Sequence, residues 1–146
     1  MTKLRVGLDS NILIELVMKM AKGHDRTLRA YNALAAEGAE FIIADHVLLE
    51  AFSVLSRSPF PVGVEPGQAE RILKEGFGSA IIAPLRPGLA WDTIRHTLSR
   101  GFWGERVYDA AIALTIYEAG ARVFLTWNTR HFRTIAPSGL EVRSPE

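Results

Sequence analysis

Five short apolar runs, at residues 4–8, 40–44, 80–83, 122–126 and 140–142, alternate with longer segments whose apolar residues recur at helical spacing. Strands separated by whole helices cannot pair as tight hairpins, whereas a helical crossover returns the chain parallel to its predecessor. The alternation therefore predicts an α/β fold, a parallel sheet covered by helices on both faces. At 146 residues, with no repeat, low-complexity tract or linker composition, the expectation is a single domain spanning 1–146.

Helices are expected at 11–20, 25–37, 46–57, 66–77 and 105–118, with another opened by Pro87 and a short turn after residue 128. The first carries Ile12, Leu13, Leu16, Val17 and Met20 as its stripe, and the second turns Leu28, Tyr31 and Leu34 inward. Gly38 suits a left-handed cap, Asp45 can cap the third helix, and Pro66 occupies a first-turn position where its missing N–H costs nothing. The helix after Pro87 has Trp91, Ile94 and Leu98 as its apolar face. Between the third and fourth helices, Ser58-Pro59-Phe60-Pro61-Val62-Gly63 reads as a loop, because two prolines remove donors and fix φ.

The carboxylates carry the chemistry. Asp9-Ser10-Asn11 falls where the first strand gives way to a helix, at the carboxyl end of a strand, where open α/β sheets place their ligands. Any of the three can also cap that helix. Glu50 has Val47, Ala51 and Val54 as helical neighbours, and Asp109 stands among Tyr108, Ala111, Ile112 and Ala113, so both interrupt apolar segments. Burying an unpaired carboxylate is costly, and two of them ~4 Å apart repel by ~4 kcal/mol at an effective dielectric near 20. A hard divalent cation, Mg²⁺ or Mn²⁺, reverses that sign, and it equally suits phosphodiester hydrolysis through a metal-activated water.

Other chemistries find little footing. The chain has no cysteine, which removes disulfides, zinc-thiolate sites and thiol nucleophiles. Its four histidines show no zinc-site pairing, and no HExxH, P-loop or nucleophile-elbow pattern occurs. A net charge of +1 does not describe a polycation that coats nucleic acid, although no lysine follows Lys74 while arginine populates the second half. The N-terminus leads into an alternating strand and no apolar run approaches the ~20 residues of a membrane span, so a cytoplasmic protein without a membrane partner is expected.

Four segments in order, Leu8-Asp9-Ser10-Asn11-Ile12-Leu13, the helix carrying Glu50, Val107-Tyr108-Asp109-Ala110-Ala111-Ile112-Ala113, and Phe124-Leu125-Thr126-Trp127-Asn128-Thr129-Arg130-His131-Phe132, resemble PIN-domain ribonucleases, and among them VapC-type toxins. The resemblance covers nearly the whole chain. It implies a three-layer α/β/α fold with a parallel sheet of order 3-2-1-4-5 and an acidic pocket at the carboxyl ends of the central strands. It makes Asp9 and Asp109 the direct Mg²⁺ ligands, with Glu50 assisting directly or through water, Ser10 and Asn11 orienting Asp9, and Thr126 and Asn128 at the same pocket. Where many relatives have a fourth acid this chain has Asn128, which supplies no charge for a second tightly held metal.

The same resemblance implies an RNA substrate, a cognate antitoxin within a type II toxin-antitoxin module, and a homodimer. Arg106, Arg130 and His131 are candidate phosphate contacts at the rim, and Phe102 and Trp103 candidate stacking residues. Two other readings stay open on the residues. One is a catalytically inactive RNA- or antitoxin-binding domain whose acids only cap helices. The other is a Mg²⁺-dependent phosphoacceptor signalling domain, which would want a lysine after the last strand where this chain has none.

Overall fold

The computed structural model describes residues 3–57 and 64–146. The loop expected at 58–63 lies outside the described residues. Strands β1 (Arg5–Leu8), β2 (Glu40–Ala44), β3 (Ile81–Ala83), β4 (Val123–Leu125) and β5 (Glu141–Arg143) form one sheet of order β3-β2-β1-β4-β5. Every neighbouring pair runs parallel. Helices α1 (Ser10–Val17), α2 (His24–Ala36), α3 (Asp45–Arg57), α4 (Pro66–Phe77), α5 (Leu89–Ser99), α6 (Arg106–Glu118) and α7 (Thr129–Ile135) fill the connections.

Both neighbours of β1 are reached by right-handed crossovers in opposite directions, which puts the early helices on one face of the sheet and the late ones on the other. Accordingly α1 packs with α2, α3 and α4, while α6 packs with α5 and α7. Because both faces are covered, β1 does not alternate: Val6, Gly7 and Leu8 are all buried. Gly7 is there for a steric reason. A Cβ at this position would collide with Ile116 of α6 and come within 3.1 Å of Phe124, so glycine lets α6 lie close against the central strand. None of the helices among the described residues is long and apolar enough to cross a membrane.

Several elements depart from the sequence expectations. The first helix stops at Val17 because Met18 turns extended, at φ −105° and ψ 97°, and this leaves Met20 exposed rather than packed. In α2 only Leu34 of the expected trio is fully buried, with Leu28 and Tyr31 half-buried. Pro87 does not open the fifth helix. Gly88, at φ 87°, makes a left-handed entry and the helix starts at Leu89.

The largest difference concerns the face of α5. Trp91, Ile94 and Leu98 point to solvent, with Trp91 78% and Leu98 61% exposed, while Leu89, Thr93 and Thr97 are buried. Helical periodicity shows that a stripe exists, but not whether the stripe faces the same molecule. The buried threonines fit because each hydroxyl donates back into its own helix, Thr93 Oγ1 to the Leu89 carbonyl and Thr97 Oγ1 to the Thr93 carbonyl, both at 2.7 Å. They reach α6 as small, internally satisfied side chains.

Candidate active site

β1 and β4 pair with Leu8 opposite Leu125, so the next residues of each chain, Asp9 and Thr126, leave the sheet side by side. The Asp9 N–H donates to the Leu125 carbonyl at 3.1 Å, extending the ladder by one bond before the chain turns into α1. Asp9 is the N-cap of that helix, with extended φ −85° and ψ 164°. The capping role and the site role thus fall on one residue.

Its two carboxylate oxygens are divided between partners. Oδ1 accepts from the Ser10 N–H at 2.8 Å, and Oδ2 accepts from Thr126 Oγ1 at 2.6 Å and, more weakly, from Asn11 Nδ2 at 3.4 Å. The Thr126 hydroxyl in turn accepts from the Asn128 N–H at 2.9 Å, and Asn11 Oδ1 accepts from the Trp127 N–H at 3.2 Å. Asp9 and Asn11 therefore hold the β1 turn against the β4 turn, while the Ser10 N–H fixes the Asp9 carboxylate. Asn128 begins α7, and its side chain makes no capping bond.

Glu50 arrives from α3. The buried stripe of that helix is Val47, Ala51 and Leu55, and Glu50 sits one position off it, which corrects the expectation of a carboxylate on the apolar face. Glu50 is instead at the pocket edge, where Oε1 accepts from Ser10 Oγ and Oε2 faces His46 Nε2 at 3.7 Å. Asp109, in the first turn of α6, is half-buried above Ala110 and Ala113.

Burial is the main force on these acids. It pushes the Asp9 carboxyl up to about 6, against the lowering effect of Thr126 and the Ser10 N–H, and the negative charges of Glu50 and Asp109 push it further the same way. Asp109 is also raised, chiefly by burial and slightly by Glu50, while Arg106 and His131 oppose the shift. The three acids thus share one electrostatic neighbourhood.

Among the described residues no group of three or more His, Asp or Glu side chains is gathered tightly enough to hold an ion alone. The donor set still suits a hard cation. Two carboxylates are held above their ordinary pKa by desolvation and like charge, a state that a divalent ion relieves. Mg²⁺ keeps several waters and takes only one or two carboxylates, so it needs no preformed cage. Asp9 and Asp109 are the residues that would hold it.

The rim residues separate. The Arg106 guanidinium is occupied: Nη2 donates to the His131 carbonyl at 2.7 Å and to Thr134 Oγ1 at 2.6 Å, and it lies 4.2 Å from the Phe102 ring. Arg106 Nε stands 3.4 Å from Asp109 Oδ2, an ion pair without hydrogen-bond geometry, and is buried with no other acceptor among the described residues. Arg130 and His131 are exposed on the first turn of α7, and Trp103 is 76% exposed.

One group has no counterpart in the sequence expectations. Glu15 Oε1 accepts from Thr27 Oγ1 at 2.8 Å and from the Trp127 indole N–H, and Arg26 lies over that indole at 5.2 Å. This network ties α1 and α2 to the turn carrying Thr126. The adjacency of Trp127 to Thr126 was the available clue, but Glu15 and Thr27 come from elements whose mutual placement periodicity does not determine.

Comparison with known proteins agrees with this fold. A family model described as PIN domain matches residues 6–136. Ribonuclease VapC27 of Mycobacterium tuberculosis is 29% identical over 121 residues, covering 81% of this chain and 81% of the relative. Among solved structures, VapBC2 from Rickettsia felis, bound to a DNA fragment from its promoter, superposes with a TM-score of 0.68 at 19% identity, over 97% of this chain and 98% of that one. Mycobacterium tuberculosis VapC20, a toxin that cleaves the sarcin-ricin loop, gives 0.63 at 14% identity, over 82% of this chain and 86% of its own.

Proposed function

Since this chain belongs to the PIN-domain family, we propose that it is a metal-dependent endoribonuclease, the toxin of a type II toxin-antitoxin pair. The observation that carries the reading is Asp9: a carboxylate 4% exposed, clamped by Thr126 and the Ser10 N–H, and held at a pKa of about 6 beside two further acids. A purely structural cap would gain nothing from such burial. The ribonuclease VapC27 is the relative that supports an RNA substrate.

A divalent cation, Mg²⁺ or Mn²⁺, supplies Lewis acidity and a water of lowered pKa when bound there. Asp9 and Asp109 hold it. Glu50, with one oxygen fixed by Ser10 and the other 3.7 Å from His46 Nε2, would accept a proton from the attacking water. Thr126, Ser10 and Asn11 keep Asp9 aimed. Arg106, occupied as it is, orients Asp109, while the exposed Arg130 and His131 receive substrate phosphates. Asn128 adds an amide and no charge, in keeping with a single tightly held ion.

The partners follow from two apolar surfaces. A groove of about 670 Å³ runs between α3 and α4, lined by Leu48, Leu49, Phe52, Leu73, Phe77 and Ile82. A concave apolar groove receives an amphipathic segment, and the antitoxin is its occupant. The exposed stripe of Trp91, Ile94 and Leu98 suits a second copy of the chain, because a two-fold contact pairs a surface with itself.

The deciding experiment incubates single-stranded RNA with purified protein and Mg²⁺ or Mn²⁺. Cleavage is expected for the wild type, loss with EDTA, and loss in Asp9→Asn. Equal cleavage by both proteins overturns the proposal. A separate readout is melting: the ion should raise the melting temperature, with a gain in unfolding free energy approaching ~2.7 kcal/mol at a hundredfold excess over its dissociation constant. Asp109→Asn should remove that increment.

A further inference from the structure

His46 and Tyr108 come from different helices and meet at the edge of the acidic pocket. Their rings are parallel within 3°, with centroids 6.0 Å apart. That is a looser pairing than the half-buried stack of Tyr31 on Phe41, whose centroids are 4.3 Å apart. Both rings are open to solvent, His46 with 52% of its side chain exposed and Tyr108 with 58% of the residue exposed. Neither ring is needed as core, since the buried side of α3 is Val47, Ala51 and Leu55 and that of α6 is Ala110, Ile112 and Ala113.

Their neighbours tie the pair to the chemistry. His46 Nε2 faces Glu50 Oε2 at 3.7 Å, Glu50 is held by Ser10, and Tyr108 immediately precedes Asp109. The aromatic faces are therefore continuous with the carboxylates that act on the phosphodiester. A phosphate placed at those carboxylates brings the adjoining nucleotide to this rim, and exposed parallel π-faces are what a base stacks on.

We propose that His46 and Tyr108 form a nucleobase-stacking subsite that seats an unpaired base next to the scissile phosphate. The inference rests on the ribonuclease reading and narrows its substrate to RNA whose base at that position is single-stranded or extruded, because paired bases in a duplex have their faces covered. Stacking is tolerant of base identity, so the subsite selects for strandedness rather than sequence. Phe102 does not share the role. Its ring is taken by Arg106.

The test measures binding rather than turnover. A single-stranded RNA dodecamer with one internal 2-aminopurine is titrated with full-length protein in Ca²⁺, which replaces Mg²⁺ and leaves the probe intact, and both anisotropy and quenching are read. Tyr108→Ala should weaken binding about tenfold and abolish the quenching, His46→Ala should do so to a smaller degree, and Tyr108→Phe should keep both. A fully paired RNA duplex of the same composition should bind wild type and Tyr108→Ala alike. Unchanged affinity and quenching in Tyr108→Ala, with RNA still bound and cut, overturns the subsite and leaves the ribonuclease reading standing. Loss of antitoxin binding in that variant, with RNA binding intact, overturns it in favour of a protein contact. Failure of the wild type to bind or cut any RNA removes both readings.

Discussion

At the scale of single residues the site depends on how one carboxyl is held. Asp9 is buried and its folded pKa lies at about 6, against an ordinary value of 3.8. The folded state therefore binds its proton more tightly than the unfolded chain, and the associated stability is present below about pH 4 and lost as pH rises toward and through 6. The loss is roughly 3 kcal/mol in all. Thermal melts between pH 4 and 7 without metal should show stability falling over this window, and Asp9→Asn should flatten the dependence and raise the melting temperature at pH 7. Thr126→Val is the complementary variant. It removes the hydroxyl that donates to Asp9 and accepts from the Asn128 N–H, leaving both without that partner. A cost of about 2 kcal/mol by denaturant titration is expected, with Asp9 raised further and cleavage impaired. An unchanged midpoint would show that the hydroxyl bonds are not stabilising.

At the scale of elements, Gly7 leaves the room on the central strand that the Ile116 side chain of α6 takes. Gly7→Ala pushes against Ile116 and Phe124, so it should destabilise the fold by about 1–3 kcal/mol. It should also weaken metal binding by shifting Asp109, although Gly7 touches no ion. Calorimetric titration with Mn²⁺ checks the second effect; unaltered affinity would mean α6 adjusts without moving its first turn. This coupling was not legible in the sequence, where Gly7 is one more small residue in an apolar run. Elements with local punctuation were legible: β2 coincides with its apolar run, and α4 runs from Pro66 to Phe77 as Pro66 and its spacing indicate. So was Asp9 as the residue at the strand-to-helix junction. Elements whose limits or faces depend on neighbours were not. Met18 ends α1 without a proline or glycine, and α5 turns Leu89, Thr93 and Thr97 inward and its more apolar stripe outward. Glu50 was expected among apolar neighbours, yet the rotation of α3 on the sheet leaves it at the edge, within reach of Ser10.

At the scale of the molecule, the exposed α5 stripe is the clearest sign of unfinished burial. Trp91, Ile94 and Leu98 lie on the face of α5 opposite its buried residues Leu89, Thr93 and Thr97. If a second copy covers them, Leu98→Glu should convert a dimer to a monomer in light scattering with little change in the melting of the isolated fold, since Leu98 contributes no buried core. A dimer that survives this change excludes the stripe as the interface. The sheet order has a consequence of another kind, for synthesis. The bond between Thr126 and Asp9 joins residues 117 positions apart, and β1 obtains its β4 neighbour only when the last quarter of the chain has been made. At roughly 5–20 residues per second, a ribosome needs on the order of ten seconds to add that stretch. Throughout that time Asp9 lacks the Thr126 hydroxyl. The arrangement that clamps the Asp9 carboxylate therefore forms late in synthesis, once the residues of β4 and Thr126 have been added.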